Sequence, residues 1–371
     1  MAYTFQGFSR TDGSAGTRNH VGIIPSVICS SEAARAISEQ ISRAVAITHV
    51  NGCAQLGDDF HVTRDILTGV AENPNVYASL FVGLGCEHNQ VQGMLEKAPE
   101  TKQTEGMTIQ EQGGHNNTVG EGLKTAGRWA AEAGAQKRQE LPLSSLTIGV
   151  LTVEPEDASL RQTAPLMGKV VDHLLENHVN IITGLSKTLE PAGSFLAART
   201  DNTEMKKNLA LLSEGFSRNS WGNVEGNSTE TVPWTTEEIT RAEMETAITG
   251  TKNITSLLNY GEASSQQGLH LMRVPSNIVE ALAGMAAAEC AAAVIVSSRG
   301  IFTGSSILPC VTAAPDEDFT DLVDFVVNAE SEEHQISRFM EKLLRVCSGE
   351  KTSVEELELG EFSISHTGTT F

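Results

Sequence analysis

In each of the first three segments of this chain, the apolar residues change once from a strand-like run to helical spacing. The segment HVGIIPSVICS (residues 20–30) is a β-branched apolar run that ends in polar residues, and SSEAARAISEQISRAV after it has apolar residues at helical spacing. The same order returns in VAITHVNGC followed by DFHVTRDILTGVAEN, and in VYASLFVGLG followed by QVQGMLEKAP. Three successive strand–helix units predict a parallel sheet covered by helices, because parallel strands need crossover connections.

A second region with the same pattern follows a long amphipathic stretch, TVGEGLKTAGRWAAEAGAQKRQ. It starts at LTIGVLTV and continues through VVDHLLENHVNIITG, a helix and then a strand, to an alanine-rich helix that runs into AAVIVSS. Residues 215–236 are rich in Ser, Asn, Gly and Thr and predict a long loop. The pattern therefore predicts an α/β fold of two domains, residues 1–142 and 143–371, with mainly parallel sheets flanked by helices.

Composition narrows the class of protein. A length of 371 residues favours two or more domains. The net charge of −21 disfavours nucleic acids and acidic membranes as partners, because both are polyanions. Six cysteines without a CxxC pair indicate reduced thiols. No signal sequence or membrane-spanning apolar run is present, so we expect a soluble cytoplasmic protein.

Polar side chains gather where the predicted strands end. His49 and Cys53 follow the second strand, and Cys86 and Glu87 follow the third. Open α/β sheets bind ligands outside the carboxyl ends of their strands, which favours a ligand site there. The alternative is a strand that surfaces into a polar loop beside an inert structural thiol. The residues alone leave both interpretations open.

Five motifs carry a family resemblance: GSAGTRNHVGIIPSVICSS, THVNGC, LFVGLGCEHNQ, IQEQGG and SSRGIFTGSSILP. In order and spacing they resemble the altronate and galactarate dehydratase family, which includes the sulfolactate sulfo-lyase large subunit. The resemblance extends over roughly residues 7–327. It implies removal of water or sulfite from a 2-hydroxy acid, a divalent metal of the iron or manganese type, and a small SAF-type domain, either fused or supplied as a partner subunit.

The resemblance also implies a set of site residues. Elimination beside a carboxylate needs a proton acceptor, help for the leaving group and cations for the carboxylate. Arginine suits the last task, because the guanidinium fork matches two carboxylate oxygens. The implied residues are His49 and Glu87 for catalysis, Arg18, Asn19, Asn223 and Arg299 for substrate binding, and Cys53 and Cys86 as metal ligands. A site built from His49, Cys53 and Cys86 follows no known zinc spacing.

The second half departs from the family pattern. Where relatives carry a CGGSD motif, this chain has LTVEPEDASLRQTAPLMG, in which Asp157 persists. Three interpretations stay open for this run: a solvated loop, a rearranged site that uses Glu154, Glu156, Asp157 and Arg161, or changed chemistry on the same scaffold. The main hypothesis is a lyase of the altronate dehydratase type acting on a small carboxylic acid. The alternative is a catalytically altered or inactive member that binds ligands or serves as a partner subunit. We also expect a homo-oligomer, on general frequency.

Overall fold

The computed structural model describes residues 3–55, 57–98, 101–153, 155–217, 231–315 and 320–366. Within these ranges no helix combines the length and the apolar character that a membrane crossing requires. The first part of the chain has the strands β1 (Thr4–Ser9), β2 (Ala15–Gly16), β3 (His20–Pro25), β4 (Ala44–Ala46), β5 (Val76–Gly83), β6 (Gln103–Thr108) and β7 (Gln139–Pro142). Its helices are α1 (Ser31–Ser38), α2 (Asp58–Glu72), α3 (Val91–Leu95) and α4 (His115–Ala135).

The first parallel sheet has four strands in the order β4–β3–β5–β6. Successive residues of its central strands point to opposite faces, and both faces are covered. Ile23 and Leu80 pack with α1 and α4, whereas Ile24 and Phe81 pack with α2 and α3. Burial on both faces is why β3 and β5 are continuous apolar runs in the sequence.

The second part of the chain is built around a larger sheet. Its strands are β8 (Thr147–Thr152), β9 (Asn180–Leu185), β10 (Phe216–Ser217), β11 (Thr231–Val232), β12 (Ile254–Leu258), β13 (Leu269–Arg273), β14 (Ala292–Val296), β15 (Gly304–Ser305), β16 (Cys310–Ala314), β17 (Phe325–Val326) and β18 (Gly360–Glu361). Its helices are α5 (Ala164–Glu176), α6 (Gly193–Ala197), α7 (Thr203–Leu212), α8 (Thr236–Glu245), α9 (Ile278–Ala287), α10 (Glu332–Cys347) and α11 (Ser353–Glu356).

The second sheet is parallel and seven-stranded, in the order β12–β13–β9–β8–β14–β16–β17. From β8 the chain adds β9 on one side, and from β13 it crosses through α9 to add β14 on the other side. Such a change of direction opens a crevice outside the carboxyl ends of the strands, which is where open α/β sheets bind ligands.

The two parallel sheets share one hydrophobic cluster. Phe81 and Ile66 from the first part of the chain belong to the same buried group as Leu151 and Met285 from the second. Helices α2 and α9 approach closely at Gly69, where a Cβ atom would lie 2.9 Å from the Cβ of Ala287. The division between domains after residue 142 therefore stays a prediction.

The structure confirms the predicted α/β class and its mainly parallel sheets with flanking helices. Strands β3, β5, β8 and β14 lie within the predicted apolar runs, and β9 extends one residue beyond its run, to Leu185. The sequence pattern missed a three-stranded antiparallel sheet of order β2–β1–β7. Of the loop predicted at 215–236, residues 218–230 lie outside the described residues, and α8 starts at the loop's last position.

Candidate active site

Glu87 organises the loop that follows β5. The carboxylate is buried, and its Oε1 accepts hydrogen bonds from Ser26 Oγ at 2.6 Å and the Leu84 amide at 3.1 Å. Its Oε2 accepts from the Gly85 amide at 2.7 Å. Strand β5 ends in glycine because a Cβ at Gly83 would lie 2.4 Å from Glu87 Oε1. In this arrangement the carboxylate ties the end of β5 to the end of β3.

His49 lies at the same edge of the first sheet, and both ring nitrogens have backbone partners. Nε2 donates to the carbonyl oxygen of Pro25 at 2.9 Å, and Nδ1 accepts from the amide of Asn51 at 3.2 Å. Burial lowers the pKa of His49 to about 4, so the ring is neutral at physiological pH. The structure thus brings His49 and Glu87 to one sheet edge and engages both of them internally.

The two predicted metal-ligand cysteines follow β4 and β5, which lie on either side of β3 in the first sheet, and their loops touch. The carbonyl oxygen of Cys53 accepts from the amide of His88 at 3.0 Å; the Cys86 side chain is exposed and that of Cys53 is half-buried. Across the described residues, no three His, Cys, Asp or Glu side chains are grouped to hold a metal ion. With His49 and Glu87 engaged elsewhere, these donors do not fit a metal centre as they stand. The metal stays a prediction of the resemblance.

Arg18 and Asn19 lie just before the amino end of β3, whereas His49 and Glu87 lie at the carboxyl edge of the same sheet. A six-residue strand separates the two ends by roughly 20 Å. Arg18 is buried and contacts both carboxylate oxygens of Glu355 at 2.6 Å; its remaining N–H groups donate to backbone carbonyls of Thr17, Val346 and Glu350.

The side chain of Asn19 is also hydrogen-bonded within the protein. Its amide nitrogen donates to the carbonyl oxygen of Ala133 at 2.9 Å and to the side chain of Gln136, and its oxygen accepts from Arg10. This arrangement leaves neither Arg18 nor Asn19 a free donor for a substrate. Asn223, the third predicted substrate-binding residue of the resemblance, lies outside the described residues.

Arg299 stands at the carboxyl edge of the second sheet, in the loop after β14. Its side chain is 64% exposed, and its guanidinium pairs with Glu156 at 3.8 Å. Beside it, Asp157 pairs with Arg241 at 3.5 Å and with Arg161 at 3.8 Å. We call these five side chains the charged rim. It has three arginines and two carboxylates, in a chain whose net charge is −21.

A cavity of about 370 Å³ opens at this edge. Pockets for small molecules commonly measure roughly 300–1,000 Å³. Its walls come from the segments that follow β8, β9 and β13 and from the start of α9, and they include Thr152, Val153, Pro155, Ser186, Thr188 and Ser276. Pro155 adjoins Glu156 of the charged rim. We call this space the edge cavity; it occupies the crevice that the sheet topology predicts.

Sequence reasoning missed a buried carboxyl group behind the edge cavity. Glu245, the last residue of α8, is 2% exposed, and its Oε1 accepts from Thr188 Oγ1 at 3.2 Å. Burial raises the pKa of Glu245 to about 7, although the hydroxyls of Thr188 and Thr152 favour the ionised form. A carboxyl group with a raised pKa beside a cleft is a functional-site candidate. Nothing in TEEITRAEME distinguishes this glutamate from its exposed neighbours.

A ligand-sized cavity thus lies at the carboxyl edge of the seven-stranded parallel sheet, and Pro155 of its wall is next in sequence to Glu156 of the charged rim. Residues 7–134 match the second domain of the D-galactarate dehydratase/altronate hydrolase family, and residues 143–370 match its C-terminal D-galactarate/altronate dehydratase domain. The chain therefore belongs to this family, whose members are dehydratases and lyases of sugar acids.

Three relatives show how far the likeness extends. The chain is 26% identical to the altronate dehydratase of Bacillus subtilis, over 99% of this chain and 78% of that enzyme. It is 26% identical to the (2R)-sulfolactate sulfo-lyase subunit beta of Chromohalobacter salexigens, over 98% of this chain and 97% of that subunit. It is 23% identical to the altronate dehydratase of Escherichia coli, over 98% of this chain and 78% of that enzyme.

Proposed function

We propose that this chain is a carbon–oxygen lyase that eliminates water, or a related leaving group, from a small 2-hydroxy acid or sugar acid in the edge cavity. Family membership supports the reaction class. The observation that carries the proposal is the position of the cavity, at the carboxyl edge of the seven-stranded sheet and beside the charged rim.

The substrate carboxylate is proposed to bind Arg299. The Arg299–Glu156 contact measures 3.8 Å, and both side chains are more than half exposed. Pairs of this kind contribute about 0–1 kcal/mol, so a substrate carboxylate can replace Glu156 at little cost. The two oxygens of a substrate carboxylate match the guanidinium fork of Arg299, which the single 3.8 Å contact with Glu156 does not fill.

Glu156 is the proton acceptor in this proposal. When the substrate carboxylate takes its place on Arg299, the displaced carboxylate becomes available as the base, next in sequence to Pro155 of the cavity wall. In a sugar acid, the proton leaves C2 for the base and its electron pair forms the C2–C3 double bond. The C3 hydroxyl departs with the C–O electron pair, and the enol product tautomerises to a 2-oxo acid.

The test is a screen of the purified protein, alone and with a small SAF-type subunit added, against sugar acids, sulfolactate and other small 2-hydroxy acids. Formation of 2-oxo acid or sulfite is the readout. We expect product from at least one acid. Arg299→Ala should raise KM, and Arg299→Lys should restore only part of the binding, because lysine lacks the fork. The matched control is Arg338→Ala, which removes another partly exposed arginine from an ion pair, that with Glu330.

A screen without product from well-folded protein, both alone and with the small subunit, would contradict the lyase proposal. If acids nonetheless bind, for example by shifting the melting temperature in wild type but not in Arg299→Ala, the chain is a ligand-binding member of the family. The altered run that follows β8 would then mark lost chemistry rather than altered specificity.

We also propose that a small SAF-type subunit assembles with this chain, and that the chain forms a homo-oligomer. The relative that this chain covers almost completely, at 97%, is named as a subunit, whereas the two altronate dehydratases extend beyond the matched part. Light scattering on the purified protein tests the homo-oligomer.

A further inference from the structure

Two cavity hydroxyls connect the edge cavity to Glu245. Ser186 Oγ and Thr188 Oγ1 lie 2.8 Å apart, and either can donate to the other. Thr188 Oγ1 in turn contacts Glu245 Oε1 at 3.2 Å. Both hydroxyl-bearing residues line the cavity, whereas Glu245 is buried behind them.

The direction of this hydrogen-bonded chain depends on where the proton is. With Glu245 ionised, Thr188 donates to the carboxylate and Ser186 donates to Thr188. With Glu245 protonated, the carboxylic acid donates to Thr188, Thr188 donates to Ser186, and the hydroxyl hydrogen of Ser186 is free to point into the cavity. The same three oxygens therefore support both states without movement of the backbone.

We propose that Ser186, Thr188 and Glu245 form a proton relay that protonates the departing hydroxyl group of the substrate in the edge cavity. The inference rests on the proposed function and adds the source of the leaving-group proton. Glu245 acts through Thr188 and is a positioning residue and proton store; Ser186 is the member that touches the substrate.

The relay delivers one proton to one leaving group. Glu245 passes its proton to Thr188, Thr188 passes its own to Ser186, and Ser186 passes its own to the departing oxygen. That oxygen keeps the electron pair of the broken C–O bond and leaves as water. The Glu245 carboxylate that remains recovers a proton through the same chain from solvent that enters the cavity after product release.

The surroundings of Glu245 suit a group that must both give and regain a proton. Burial is the main cause of the raised pKa, and a donor with a pKa near the working pH is the most effective. The turns Glu190–Ala192, Ser159–Thr163 and Thr246–Thr249 pack against α8. Their charged groups are Glu190 and Arg161, and neither contributes to the pKa of Glu245.

The competing explanation is structural: Glu245 merely fastens the turn after β9 to α8. Four variants distinguish the proton relay from this structural role. Glu245→Gln keeps the size and the bond to Thr188 but cannot release a proton. Thr188→Val removes the middle hydroxyl, and Thr188→Ser restores it. Glu243→Gln is the matched control, because Glu243 lies exposed on the same helix.

Two readouts are needed, one of which does not depend on turnover. Infrared difference spectra between pH 5 and pH 9 should show a carboxyl group in the wild type that titrates near 7, absent in Glu245→Gln and unchanged in Glu243→Gln. With a substrate from the screen, kcat of the wild type should fall as pH rises through about 7, when Glu245 loses its proton. Loss of the donor should lower kcat by about 10²-fold or more in Glu245→Gln and Thr188→Val, with KM little changed.

Failure of the relay can be distinguished from failure of the proposed function. Turnover by Glu245→Gln with an unchanged kcat and pH profile would overturn the relay and leave the proposed function intact. No titrating carboxyl near 7 in the infrared spectra would overturn the relay whether or not turnover is found. No turnover from any acid, with or without the small subunit, would overturn the proposed function, and with it the relay's role in the reaction. We expect Thr188→Ser to keep a kcat and a pH dependence close to those of the wild type, and Thr188→Val to lose both.

Discussion

The guanidinium of Arg18 holds both carboxylate oxygens of Glu355 at 2.6 Å, across 337 positions of sequence. The pair joins the segment before the first parallel sheet to α11 near the end of the described chain. Arg18 also donates to three backbone carbonyls, so its five N–H groups are all used inside the protein. A guanidinium bound in this way stabilises the fold rather than a substrate.

Arg18→Ala should therefore destabilise the protein. It leaves Glu355 without its buried partner, and breaking such a pair costs about 3–5 kcal/mol of unfolding free energy. Denaturant unfolding measures the loss. Arg128→Ala is the control, because its pair with Glu105 is half exposed and should contribute less than about 1 kcal/mol. Unchanged stability with abolished turnover would return Arg18 to the substrate-binding role that the family resemblance implies.

Glu87→Gln should also act on stability. The carboxylate accepts from Ser26, Leu84 and Gly85, and a glutamine amide would point donor hydrogens at one of these donors. We expect a loss of about 1–3 kcal/mol in unfolding free energy, with the exposed Glu111→Gln within about 0.5 kcal/mol of the wild type. If Glu87→Gln instead lowers turnover by orders of magnitude at an unchanged melting temperature, Glu87 belongs to the catalytic machinery.

The raised pKa of Glu245 makes stability depend on pH. The folded protein holds this proton up to about pH 7, whereas the unfolded chain loses it near the ordinary value of 4.5. Between these values the folded state binds more protons, so the unfolding free energy falls as pH rises. The wild type should lose up to roughly 3 kcal/mol relative to Glu245→Gln across that window. Parallel stability curves for the two proteins would show that the pKa of Glu245 is not raised.

The small-subunit proposal predicts a folded but inactive isolated chain. Circular dichroism and a cooperative melting transition would establish folding, and addition of a small SAF-type subunit should restore turnover of the same acid. Its control is the same subunit added to Arg299→Ala, which should show impaired turnover at low substrate concentration. Full activity of the purified chain on its own would rule out the requirement.

Much of the fold could be predicted from the sequence, because strands buried on both faces are continuous apolar runs. Strands β5 and β14 are of this kind. The candidate site was harder to predict. Arg18 and Asn19 stand beside a strand in sequence but at its amino end, and their partners come from distant segments. Glu245 ends a helix with other glutamates, and only tertiary packing buries it.

The measurement that tests the central claim most directly is the screen of small 2-hydroxy acids with wild type and Arg299→Ala side by side, repeated with a small SAF-type subunit present. The account predicts 2-oxo acid or sulfite from at least one substrate in the wild type, and a raised KM in the variant. No product under either condition, from protein shown to be folded, would contradict it. Equal KM values for wild type and Arg299→Ala would remove Arg299 and the charged rim from the substrate site.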